Sequence, residues 1–325
     1  MSGLMAIFWK ELADHFNSKR FIILSILVYL AGILTIVVAA QNIRSMVTED
    51  TNAVFIFLFL SAPAEMLQFF FKQFGLIMSP FTFLFMLLIP FIGISFGIDS
   101  INGERTSGNL SRLLSQPIYR DAVINGKFLA GLIAMSILIV SIVMLIAGMG
   151  LRMIGVPPTA EEILRIFTFI FVSIIYGAFW MSIAVLLSVL FRNTTTSLLI
   201  SVVLWVFFFV FTLFNIGQPI AGLIVPVEQY SGIDTLSQFE ATYRMISRVS
   251  PFYLYGEAVQ ILLMPFLTTT NIVTMVAGSI GTVNPLSLGR SLLIVWPQLV
   301  TMIALTALCF AGSYIKFMRE EIRST

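Results

Sequence analysis

The sequence is poor in the residues that do chemistry. It has one cysteine, Cys309, and one histidine, His15. A single cysteine excludes an intramolecular disulfide and a CxxC pair. Cys309 lies inside a long apolar run, where a small buried residue is the plain expectation. HExxH, GxSxG and GxxxxGK[ST] are all absent, so the sequence carries no zincin, hydrolase-elbow or phosphate-loop signature. Acidic residues fall in loops without metal-ligand spacing. Charged residues make up only 10% of the chain, against about 25% in ordinary soluble domains. The net charge of +2 is too small to point to nucleic acid. What is abundant is apolar: 58% of residues are hydrophobic, and 31 of the 325 are Phe. That composition defines a polytopic membrane protein, one all-α domain over residues 1–325.

Six charge-free stretches are long enough to cross roughly 30 Å of hydrocarbon. They lie near 21–40, 79–98, 128–151, 166–191, 197–216 and 291–315. The first is expected to be an uncleaved span, since Lys10, Glu11, Asp14, Lys19 and Arg20 precede a run too long for a signal peptide. None of the six carries an acidic or basic residue at its centre, which argues against a proton relay or an ion-coupled pump. Gly93 and Gly97 form a small-xxx-small pair in the second span, suited to close helix packing within the chain or at a dimer contact. Segments 42–78 and 217–289 are ambiguous. Within 217–289, the apolar pieces 258–267 and 272–281 are too short to span and suit re-entrant or interfacial helices.

With six spans and an inside N-terminus, eleven Lys and Arg fall on the inner side and seven on the longer outer loops. The bias places both termini in the cytoplasm. Leu4, Met5, Phe8, Leu12 and Phe16 share one face of a first helix, with Lys10, Glu11, Asp14 and Asn17 largely off it and Trp9 as an anchor. That predicts an interfacial helix lying on the inner leaflet. Amphipathic stripes also predict external helices at 64–74 (Leu67, Phe70, Phe71, Phe74) and 234–249 (Leu236, Phe239, Tyr243, Ile246). Those two helices suit rest on the outer leaflet or a lid over a pathway between subunits. Glu257, flanked by Tyr253 and Tyr255, is the one acidic group in a segment that could dip into the membrane. These three are candidates for a pathway or gate, though a capping or interfacial role is the plainer reading of Glu257.

Between the second and third spans, residues 99–127 carry Asp99, Glu104, Arg105, Arg112, Arg120, Asp121 and Lys127. At ~3 kcal/mol per charge at the bilayer centre, burying all seven costs roughly 20 kcal/mol, so this segment lies outside the lipid. Within it, Leu110, Leu113, Leu114 and Ile118 follow i, i+3, i+4, i+8, a short amphipathic helix stopped by Pro117. Its apolar stripe calls for a cover, and a partner protein is the leading candidate.

These residues also resemble a known family. The run Asp99, Gly103-Glu104-Arg105, Gly108-Asn109-Leu110, Leu113-Leu114-Ser115-Gln116-Pro117 and Gly126-Lys127-Phe128-Leu129-Ala130-Gly131 looks like the loop between the second and third spans of type-2 ABC transporter permeases. Residues 246–265 (ISRVSPFYLYGEAVQILLMP) resemble that family's Ser-Pro segment before the last span, and the Phe191-Arg192-Asn193 turn also fits. The resemblance implies six spans per subunit, an interfacial helix before the first, and re-entrant helices before the sixth. It implies two permease subunits, alike or different, and an ABC ATPase dimer holding ATP and Mg, with no cofactor or metal in this chain. Gly103, Glu104, Arg105, Gly108, Leu110, Arg112, Leu113, Leu114, Pro117 and Arg120 would then form the ATPase-coupling segment, with a coupling helix over 106–116. The expected setting is a prokaryotic cell membrane, and the expected direction is export. An ion-coupled carrier and a membrane enzyme or assembly scaffold are the other classes open to such a chain.

Overall fold

A computed structural model describes residues 3–46, 80–106, 108, 119–154, 157–226, 233–263 and 286–319. Among them every regular element is a helix. In chain order these are α1 (Gly3–Asn17), α2 (Lys19–Met46), α3 (Pro80–Gly97), α4 (Asn102–Thr106), α5 (Arg120–Ile154) and α6 (Ala160–Leu190). They continue with α7 (Thr194–Leu213), α8 (Gly217–Ile224), α9 (Ile233–Ser247), α10 (Pro251–Leu263) and α11 (Leu288–Arg319). Six of them (α2, α3, α5, α6, α7 and α11) are long and apolar enough to cross a membrane, matching the six stretches expected. The predicted helix at 64–74 and the short apolar piece at 272–281 lie outside the described residues.

Local sequence sets the breaks. Ser18 separates α1 from α2: its hydroxyl donates to the His15 carbonyl at 2.8 Å and accepts the Phe21 amide at 3.1 Å. Thr159 and Glu162 form a reciprocal capping box at the start of α6, satisfying amides that the helix itself leaves open. Asn193 caps α7 by accepting the Thr195 amide at 3.0 Å. Asn215, at φ +48°, turns the chain out of α7 towards α8. Pro251 opens α10, where its missing amide costs nothing.

α6 is the central post. Of its most apolar window 78% is buried, against 17% for α2 and for α11. α3 crosses it closely, because a Cβ on Gly93 would stand 2.6 Å from the Gly177 carbonyl oxygen, and one on Gly97 2.6 Å from the Met181 oxygen. The small-residue pair therefore packs within the chain and not at a dimer contact. In lipid, where apolar helices gain nothing by leaving their solvent, this close approach supplies the dispersion contacts that hold spans together.

α10 begins at Pro251, seven residues ahead of the apolar piece expected at 258–267. It has 13 residues, about 20 Å at 1.5 Å per residue, too short to cross. Phe252, Leu254, Tyr255, Ala258, Val259, Leu262 and Leu263 are all buried. Arg165 of α6 holds its far end: its guanidinium donates to the Leu262 carbonyl at 2.7 Å and pairs with Glu161 at 2.7 Å. Glu161 in turn accepts the Leu288 amide at the start of α11 at 3.2 Å. One ion pair thus satisfies the end of α10 and the beginning of α11.

Candidate functional site: a charged joint beneath the 99–127 segment

Absence of charge marks where hydrocarbon begins, not where a helix ends. α5 starts at Arg120, so Arg120 to Lys127 are helical where the sequence suggests loop. Gly126 lets α1 lie directly on this first part of α5, since a Cβ there would come within 2.9 Å of the Ile7 side chain.

Next to it, Lys127 is only 5% exposed, and its ammonium lies 2.8 Å from Glu11 Oε1 and 2.8 Å from Glu104 Oε1. Lys10 reaches the same two carboxylates at 3.0 and 3.4 Å. Two lysines and two glutamates from α1, α4 and α5 thus form one node. Burial pushes the Glu11 carboxyl up, but the charges and hydrogen bonds of Lys127 and Lys10 outweigh it and hold the group below its usual value. Arg20, at the start of α2, pairs with Asp99, just past α3.

A second tie runs to the α6–α7 turn. The amides of Ile101 and Asn102 donate to Ser188 Oγ at 3.2 and 3.1 Å, and Asn102 Nδ2 donates to Ser197 Oγ at 2.9 Å. Ser197 passes its own hydrogen to the Leu187 carbonyl at 2.9 Å. Below these, Ile7, Ile101, Val123, Ile124, Val189 and Phe317 make a compact apolar cluster from five parts of the chain. The segment after α3 is therefore fixed to α1, α2, α5, α6 and α7.

The predicted coupling residues divide accordingly. Gly103, Glu104 and Arg105 are in α4, and Arg120 begins α5. Gly108 has φ +71°, a left-handed conformation that glycine adopts without a side-chain clash. Leu110, Arg112, Leu113, Leu114 and Pro117 lie outside the described residues, as does most of the 106–116 helix expected there. Glu257 is far from this joint in sequence and bound elsewhere: both its oxygens accept from Arg248 at 2.9 Å. Tyr255 is fully buried, stacked on Tyr176 at 4.3 Å and hydrogen-bonded to Ser173 at 2.9 Å, while Tyr253 sits edge-on to Tyr243.

Sequence reasoning missed Glu11, Asn102 and Arg165. The expected face of α1 places Glu11 off the apolar stripe, yet Ile7, Glu11 and Leu12 are the buried residues. Met5 and Trp9 are about half exposed. Glu11 can be buried because Lys127, distant in sequence, neutralises it. The only available signal was the lysine of the Gly126-Lys127 motif, which had no visible partner.

The described residues form an all-helical domain with six helices long and apolar enough to cross a membrane, and a charged joint at the entry to the third. The sequence model of the ABC-2 family transporter proteins matches residues 5–322. The chain belongs to that family and is an ABC transporter permease subunit, a multi-pass membrane protein whose family works with an ABC ATPase. No curated protein matches the chain.

Proposed function

We propose that two permease subunits of this kind form a translocation pathway driven by a separate ABC ATPase dimer, and that the transport is export. What carries the coupling to an ATPase is the double anchoring of the segment after α3; the pairing of permeases and export rest on the family resemblance. Glu104 is tied to α1 and α5 through Lys127, and Asn102 to α6 and α7 through Ser188 and Ser197. Force applied to residues 106–116 enters the bundle through α4 and reaches five helices at once. Leu110, Leu113 and Leu114 provide the grip on the ATPase, each buried leucine contributing about 1.5–3 kcal/mol. Arg105, Arg112 and Arg120 set orientation and partner choice through charge.

On this proposal the chain performs no covalent chemistry and holds no cofactor; ATP and Mg belong to the ATPase. The joint and both termini face the cytoplasm of a prokaryotic cell, which suits the excess of Lys and Arg on that side.

The test is mild-detergent purification of the tagged chain, followed by mass spectrometry of what accompanies it. An ATP-binding cassette protein is expected with the native chain and is expected to be lost from the double variant Leu113→Asp, Leu114→Asp. Failure to find one under any mild condition overturns the coupling proposal, and ATP-driven uptake by intact cells overturns export.

A further inference from the structure

A polar cavity of about 330 Å3 opens where α1, α2, α3 and α5 meet, within the roughly 300–1,000 Å3 of small-molecule sites. Its charges nearly cancel. Arg20 pairs with Asp99, and Lys127 with Glu11, leaving Lys19 as a cation with no ion pair among the described residues. Ser18 and Ser100 spend their hydroxyl hydrogens on the His15 and Gly97 carbonyls. Ser95 and the His15 ring line the same cavity, and neither side chain makes a hydrogen bond among the described residues. Burial lowers the His15 pKa, so the ring is neutral near pH 7 and offers one N–H. The lining therefore has one surplus positive charge and three uncommitted donors: an ammonium, a hydroxyl and an imidazole N–H.

We propose that this cavity holds the phosphodiester headgroup of a single phospholipid. A phosphodiester carries one negative charge and two free oxygens, the complement of that donor set. A lipid is favoured over a soluble anion by position. The cavity lies where α1 turns into the first span, which is headgroup level if α1 rests on the bilayer surface. Its apolar part is made by Phe21 and Phe96, whose rings are 6.1 Å apart. From there the exposed row Ile22, Ile23 and Ile26 on α2 offers a track for an acyl chain. The site needs α1 to lie at a bilayer surface and does not depend on an ATPase.

The experiment is native mass spectrometry of the delipidated full chain, titrated with phosphatidylglycerol, with diacylglycerol, and with phosphatidylglycerol plus millimolar inorganic phosphate. One phosphatidylglycerol per chain is expected to be retained, diacylglycerol is not, and inorganic phosphate does not displace the lipid. Lys19→Glu reverses the surplus charge and is expected to weaken retention about tenfold or more; Ser95→Leu, which fills the cavity, is expected to do the same. Lys19→Gln and Ser95→Ala serve if either variant unfolds. Equal retention by native and variant chains overturns the proposal, as does retention of diacylglycerol. Displacement by inorganic phosphate overturns the lipid assignment in favour of a soluble anion. All of these readouts are independent of ATPase capture.

Discussion

Replacing Lys127 with methionine keeps most of the stem and removes the charge that holds Glu11 and Glu104 together. Each carboxylate oxygen is 2.8 Å from the same nitrogen, so the two lie at most about 5.6 Å apart and, at an effective dielectric of about 20, repel by ~3 kcal/mol once it is gone. Protonating one carboxyl limits the damage, and at pH 7 that costs roughly 3.4 kcal/mol for a group of ordinary pKa near 4.5. Lys10 stays within 3.4 Å of both but is half exposed and offsets only part. The expected loss is therefore about 2–3 kcal/mol, seen as a Tm lower by roughly 5 °C in detergent. Two further results identify the cause. At pH 5 the deficit shrinks to roughly 1 kcal/mol, because a proton now costs little. Adding Glu11→Gln to Lys127→Met restores at least half of the lost stability. A Lys127→Met protein melting within about 1 °C of native at pH 7, on the same Tm scale, would refute the claim that this node holds the segment in place.

Gly97→Ala puts a Cβ 2.6 Å from a backbone oxygen and 2.7 Å from the Ala184 Cβ; neither can yield easily, so thermal unfolding should show a loss of about 1–3 kcal/mol. Gln298 is 1% exposed, and neither end of its amide is hydrogen-bonded among the described residues. Gln298→Leu should therefore raise the Tm, by the equivalent of about 1–3 kcal/mol, and a fall would show that the amide has a partner. Glu11 has a folded pKa below its unfolded value of 4.5. Its contribution is thus full above pH 4.5 and is lost as pH falls from there through the folded pKa. A Tm-against-pH curve should fall more gently on that acid limb in Glu11→Gln than in the native chain.

Much of this protein was fixed by the sequence alone, because lipid imposes simple rules. A run of about twenty apolar residues must be helical to satisfy its backbone without water. So the six spans are legible from hydropathy and length, and the helix α1 ahead of the first from its amphipathic stripe. The motif around Glu104 and Lys127 was legible as well, though only as residues of interest without partners. The tertiary structure decided the pairings. Glu11 and Glu104 are 93 residues apart in the chain, yet both bind the Lys127 ammonium. Arg165 sits among outer-loop charges in the sequence and proves to be a buried clamp on α10 and α11. Gly93 and Gly97 were readable as a close contact, but only the placement of α6 showed it to lie within the chain. The physical reason is the same each time. Transfer energies along a sequence report which segments leave water, whereas a buried charge or a bare helix face is stabilised by whichever distant group the fold brings within about 3 Å.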